Sequence, residues 1–473
     1  MARVAFIIQR EKLDTTRSVQ KKVLFPIEPA FSAALLKNNG HIISAFDLNL
    51  IENEDKIETR YIEFLQSFKP DHIVSAPQML TFLIKENYDD TAKLFDITKD
   101  YNKNIKTVYT GAFATSYQKE AIKRTKADFL IKGEFDIPLL KIVNNEKYPD
   151  TNTFFTEDLD MLPFPCYEEF NYKEYFKYPG RANLRYPEYS RNYTHYQTSR
   201  GCTCLCSFCN VSFLRGIRKQ RIRTLPLVIK DLCMLVKDYG IEEIHFLDEN
   251  LNLNKSRIKE LCKGVLDSGL NFKWIAAGGM SIYSLDEETL KLMYTAGCYR
   301  LNLAFESGSQ EVIDNIIKKP VKLNRDIEKL QIAKDIGFEI IGYFVIGFPD
   351  ETQKQIEETI ALASNPLFDY VTISIATPQR GTELEKKCLE KGLLNKDDLL
   401  ADVSRRSTAL YKTVEFTQYD IEKIRCVEWD RINFSFLKRK EKIAKMMGVT
   451  TIELDRIRKE TEENFKTRWK INT

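Results

Sequence analysis

The sequence predicts an α/β protein: a doubly wound parallel sheet, then a partial (β/α)6 barrel of TIM type, then a small helical C-terminal domain. Three observations predict it. Short β-rich runs alternate with amphipathic segments over residues 1–148. The alternation resumes at 193, after a linker (149–192) rich in Pro, Tyr, Asp and Asn, and continues to 391. From 392 to 473 strand signals vanish and charge rises. Strands alternating with helices imply parallel sheets with right-handed crossovers.

In the first region, apolar runs at 4–8, 42–46, 72–76, 107–109 and 129–131 predict buried strands. Helical patterns fall at 29–38, 57–68, 88–99, 117–124 and 137–143. Ligands of such sheets bind at the carboxyl ends of the strands. Within the linker, Leu162-Pro163-Phe164-Pro165 excludes regular helix. Further strands are expected at 193–198, 243–246, 272–276, 300–304, 339–346 and 370–375. Helices are expected at 225–238, 255–267, 286–294, 310–316, 326–334 and 352–363. Six repeats are too few to close an eight-stranded barrel, so the barrel is partial and works at its carboxyl face. The last region shows helical patterns at 421–434 and 452–465, and Lys438-Arg439-Lys440-Glu441-Lys442 reads as a solvated helix face.

A chain of 473 residues exceeds one compact core and suggests two or three domains. Its 71 basic and 68 acidic side chains nearly cancel, which argues against a dedicated nucleic-acid binder. Of ten cysteines four cluster, at one loop only, which is no disulfide framework and fits a reducing cytosol. The apolar start is too short for a signal peptide, and no apolar run approaches a membrane span. A soluble cytoplasmic protein without membrane or nucleic-acid partners is expected.

The informative loop is Ser199-Arg200-Gly201-Cys202-Thr203-Cys204-Leu205-Cys206-Ser207-Phe208-Cys209-Asn210. Cys202, Cys206 and Cys209 form a C-x-x-x-C-x-x-C run. Three thiolates on one loop fit a 4Fe–4S cluster that keeps one iron open, since a full set is four. A zinc knuckle at Cys206-x-x-Cys209 lacks a second distant pair. A redox dithiol leaves Cys202 unexplained, and inert cysteines seldom crowd four into eight positions. Cys204 reads as a spare thiol.

The run, with the aromatic Phe208 before its third cysteine, resembles the signature of radical S-adenosylmethionine (SAM) enzymes. The resemblance covers residues 193–391. It implies that Cys202, Cys206 and Cys209 ligate the cluster and that the methionine part of SAM takes the open iron. Phe208 is implied in SAM binding, as are Asp248, Glu249 and Asn250 after the second barrel strand and Glu306 and Ser307 after the fourth. Gly347, in the fifth-strand motif, and Thr377, at the sixth strand end, complete that implied set. The bland readings are helix N-capping for Asp248 and turn roles for Pro349 and Gly381. An electron from the reduced cluster would cleave SAM to a 5′-deoxyadenosyl radical, with the protein supplying orientation.

The domain order is similar to that of cobalamin-binding radical SAM enzymes, in which a Rossmann-like domain lays the corrin against the barrel. This resemblance implies cobalamin contacts from Pro77, Gln78, Met79 and Leu80, from Gly111 and Ala112, and from Gly133 and Glu134. The D-x-H-x-x-G motif that supplies a cobalt-ligating histidine elsewhere is absent, and His41 and His72 lie in the wrong context. The leading expectation is methylation of an unactivated carbon of a small-molecule or peptide substrate, with an external flavodoxin- or ferredoxin-type electron donor. The runner-up is a non-methylating rearrangement, cyclisation, dehydration or epimerisation on the same scaffold. A non-catalytic iron–sulfur or zinc protein is the third reading. Residues 181–193 either line a substrate pocket or serve as packing.

Overall fold

The computed structural model describes residues 1–10, 24–51, 53–76, 85–148, 153–177, 189–395 and 408–470, with backbone only at 85–88. Two compact units share the chain: Met1–Lys12, Val23–Tyr178 and Val211–Arg223 form the first, and the rest forms the second.

The first unit is built on five parallel strands: β1 (Arg3–Ile8), β2 (Ile42–Asp47), β3 (His72–Ser75), β4 (Lys106–Tyr109) and β5 (Phe129–Leu130). Their order is β2-β1-β3-β4-β5. This is a doubly wound arrangement. The uninterrupted apolar run of β1 is the mark of a strand covered on both faces. Ala5, Ile7, Tyr61, Leu65, Ile73, Leu94 and Tyr109 build one core layer. Tyr61 and Leu65 reach it because an i, i+4 spacing puts them on one face of the helix Ile57–Phe68.

The second unit carries six parallel strands in sequential order: β6 (Tyr193–Tyr196), β7 (Glu243–Phe246), β8 (Lys273–Ala276), β9 (Cys298–Glu306), β10 (Glu339–Ile346) and β11 (Tyr370–Ile375). The sheet is open, as a partial barrel requires. The expected helix at 310–316 is a π-helix over Val312–Ile317. The single helix expected at 326–334 is two short ones, Leu323–Asp326 and Glu328–Ile336.

The C-terminal helices lie in this same unit rather than apart from it. Helix Gln418–Phe434 starts on a reciprocal Thr417/Asp420 capping box and packs on β11. There the Asn433 side-chain amide accepts from Val371 N (2.9 Å) and donates to Val371 O (3.0 Å). Arg425 Nε donates to Ile373 O at 3.2 Å. The edge strand thus finds side-chain partners in place of a seventh strand. The basic run does lie on a helix, Leu437–Met447, but it is not wholly solvated. Lys440 pairs with Asp455, Lys442 with Asp369, and Arg439 is half-buried.

Candidate active site

The cysteine loop leaves the carboxyl end of β6, and two consecutive carboxylates at the end of β7 grip it. Asp248 is fully buried; Oδ2 accepts from Thr198 N (3.0 Å), and Oδ1 accepts from Thr198 Oγ1 (2.7 Å) and Ser199 Oγ (2.5 Å). Burial raises its pKa above the usual aspartate value despite these three donors. Glu249 Oε2 accepts from Gly201 N at 3.0 Å. Asp248 is therefore neither an N-cap nor an open acceptor; with Glu249 it braces residues 198–201, immediately before Cys202.

Further along, Ser207 N donates to Ile317 O and Ser207 O accepts from Leu384 N, each at 2.9 Å. Phe208 packs against Phe348, with ring centroids 5.9 Å apart, beside Val312, Ile317 and Val345. The loop is thus anchored at both ends, and its thiols carry no disulfide. Cys209 is exposed and Cys202, Cys204 and Cys206 are half-buried. Cys204 accepts hydrogen bonds from Cys202 and then Cys206, which lower its pKa, and it lies 3.4 Å from Tyr283 Oη. Among the described residues no three His, Cys, Asp or Glu side chains converge on one metal ion. A 4Fe–4S cube makes no such demand, because each thiolate holds a different iron.

The remaining strand-end residues divide by what they already touch. Asn250 Nδ2 donates to Ser281 Oγ (2.8 Å), and Ser307 Oγ shares a hydrogen bond with Thr359 Oγ1 (2.9 Å). Thr377 Oγ1 donates to Ile375 O at 3.0 Å. Gly347 N donates to Glu351 Oε2 at 2.6 Å. Burial pushes the Glu351 carboxyl up to about 7, offset in part by the Gly347 and Phe348 amides. Its Oε1 has no partner among the described residues.

Glu306 adopts φ +68°, where a register shift between Ala304 and Glu306 interrupts β9, and its Oε1 pairs with Lys319 Nζ at 2.8 Å. Lys319 is a site residue that sequence reading missed. It looks like half of an ordinary surface pair, Lys318-Lys319, yet it is buried. Burial alone would lower its pKa, but Glu306 and the Cys206 and Cys204 sulfurs together raise it.

In the first unit, Gly133 has φ +77°, and a Cβ there would lie 2.2 Å from Phe154 O. Its glycine is required by that backbone crossing. Glu134 is buried in an ion-pair network: Oε2 and Oε1 accept from Arg221 Nη1 and Nη2 (both 2.7 Å), and Arg215 Nη1 lies 3.2 Å from Oε1. Arg215 also pairs with Glu28 at 2.5 Å. Gly111 precedes the short helix Ala112–Ser116, at the end of β4. Here two buried hydroxyls, Thr110 Oγ1 and Ser116 Oγ, have no partner among the described residues. Buried polar groups are normally satisfied, so these two are candidates for a ligand contact that sequence reading did not single out. Pro77, Gln78, Met79 and Leu80 lie outside the described residues.

Comparison with known proteins agrees with this geometry. Residues 196–363 match the Radical SAM superfamily. The chain is 31% identical over 249 residues to cytidylyl-2-hydroxyethylphosphonate methyltransferase of Streptomyces wedmorensis, spanning 51% of this chain but only 46% of that relative. It is 27% identical over 404 residues to an uncharacterized methyltransferase of Pyrococcus horikoshii, spanning 81% of this chain and 83% of the other. The fold matches the cobalamin-dependent SAM radical enzyme OxsB, solved with aqua-cobalamin and SAM, at a TM-score of 0.70 and 14% identity, over 95% of this chain and 71% of that one. Residues 196–363 therefore form a Radical SAM superfamily domain, in a chain whose fold is similar to that of this cobalamin-dependent enzyme.

Proposed function

We propose that the chain is a cobalamin-dependent radical SAM methyltransferase acting on an unactivated carbon of a small-molecule or peptide substrate. The observation that carries the reading is the braced cysteine loop at the carboxyl edge of an open (β/α)6 sheet, preceded by a 2-1-3-4-5 parallel unit. The residues present fit the groups this requires. Cys202, Cys206 and Cys209 would hold a 4Fe–4S cluster, and Asp248 and Glu249 position them by fixing residues 198–201. Glu306 and Lys319 offer a carboxylate and an ammonium beside the loop, where the amino acid part of SAM carries the complementary charges. Phe208, Asn250, Ser307, Gly347 and Thr377 shape the surrounding strand ends. In the first unit, Thr110 and Ser116 offer hydroxyls without a partner among the described residues, and Gly111 and Ala112 the turn beside them, for cobalamin, while Gly133 and Glu134 hold the neighbouring loop in place.

Together these groups would supply one-electron cleavage of SAM and methyl transfer through cobalt, with the electron coming from an external low-potential donor. The test is anaerobic purification followed by reduction with dithionite. About four irons per chain, bound cobalamin, and 5′-deoxyadenosine formed together with S-adenosylhomocysteine are expected. Formation of 5′-deoxyadenosine alone, with cobalamin absent, overturns methylation and leaves the rearrangement reading, whose product gains no methyl mass.

A further inference from the structure

We propose that the Glu306–Lys319 pair sets the reduction potential of the cluster held by Cys202, Cys206 and Cys209, with Lys319 raising it and Glu306 lowering it. The inference deepens the functional reading above and rests on its cluster. Three independent features lead to it. First, the turn bearing Lys319 is tied to the cysteine loop. Ile317 O accepts from Ser207 N at 2.9 Å, so the ammonium follows two residues after a bond to the neighbour of Cys206. Second, both charges are buried, with side chains only 8% and 11% exposed, so water screens them little. Third, the backbone is bent to make the pair. Glu306 occupies the left-handed region at a break in β9 register, an arrangement that persists only where its surroundings enforce it.

Lys319 and the Cys206 and Cys204 sulfurs are close enough to interact electrostatically. One-electron reduction adds one negative charge to the cluster and breaks no bond. A buried cation beside the cluster favours the reduced form, and a buried carboxylate disfavours it. Charge near the sulfurs is one of the established determinants of cluster potential.

The test is a redox titration of the reconstituted full chain, followed by electron paramagnetic resonance without SAM, so that cofactor binding plays no part. Lys319→Met should make reduction about tenfold less favourable, a shift of about 59 mV to more negative potential. Glu306→Gln should shift it the opposite way, and Lys319→Arg should stay near wild type. A full cluster in Lys319→Met at the wild-type potential overturns the proposal. Where that variant fails to assemble a cluster, an unmoved or more negative Glu306→Gln overturns it equally. A wild-type chain without a 4Fe–4S cluster sinks the functional reading as well, so the two failures are told apart.

Discussion

The two parallel sheets use their strand ends differently. In the six-stranded unit, most polar residues at the carboxyl ends are already engaged: Asp248 and Glu249 hold the cysteine loop, Ser307 bonds Thr359, and Thr377 bonds its own strand. In the five-stranded unit the ends divide. Glu134 is consumed by two arginines, whereas Thr110 and Ser116 have no partner among the described residues. The contrast teaches that a strand-end polar residue builds a site more often than it touches a ligand. Those left without partners are the better pointers to binding.

The sharpest way to break this comparison is the cysteine set itself. Cys202→Ala, Cys206→Ala or Cys209→Ala should each lose most bound iron and all SAM cleavage, while Cys204→Ala keeps both; iron analysis and the visible spectrum decide. Next in size is Glu134→Ala. Removing one partner from the buried Glu28–Arg215–Glu134–Arg221 network leaves uncompensated guanidinium groups, at a cost of about 3–5 kcal/mol in urea unfolding. A near-neutral result would mean that Glu134 is available to a ligand after all.

Glu351 offers a pH test. Its folded-state pKa of about 7 lies above the ordinary value of 4.5. The stability it contributes is thus full below 4.5 and is lost as pH rises through about 7. The loss is on the order of 3 kcal/mol. Glu351→Gln keeps an acceptor for Gly347 N and should flatten that fall in thermal melts between pH 5 and 8 (~3 units spanning the transition). The smallest effect on stability is expected from Thr110→Val. Replacing an unsatisfied hydroxyl by a methyl should leave unfolding within about 0.5 kcal/mol of wild type or slightly improved. The same change should weaken cobalamin retention, read from its absorbance after gel filtration.

Most of the architecture was legible because its punctuation is chemical. Strand β10 ends where Gly347-Phe348-Pro349 forbids extension, and helix Gln353–Ala363 begins at a Thr352/Gln355 capping box. The helix expected at 310–316 carries no sign that it is a π-helix, because six residues cannot distinguish the two periods. The Cys loop was legible from spacing alone. The role of Asp248 was not, because its donors stand 49 and 50 residues away. Lys319 was hidden for the same reason: burial by distant segments turned an unremarkable lysine into a site charge.

After Tyr178 the chain leaves the first unit, returns to it for Val211–Arg223, and leaves it again. Arg215 and Arg221, which neutralise Glu28 and Glu134, arrive only with that returning segment. A truncated gene ending near residue 148 would encode two interior carboxylates stripped of their counter-ions. Splitting, swapping or separately producing the halves should therefore fail unless the 211–223 insert travels with the amino-terminal piece.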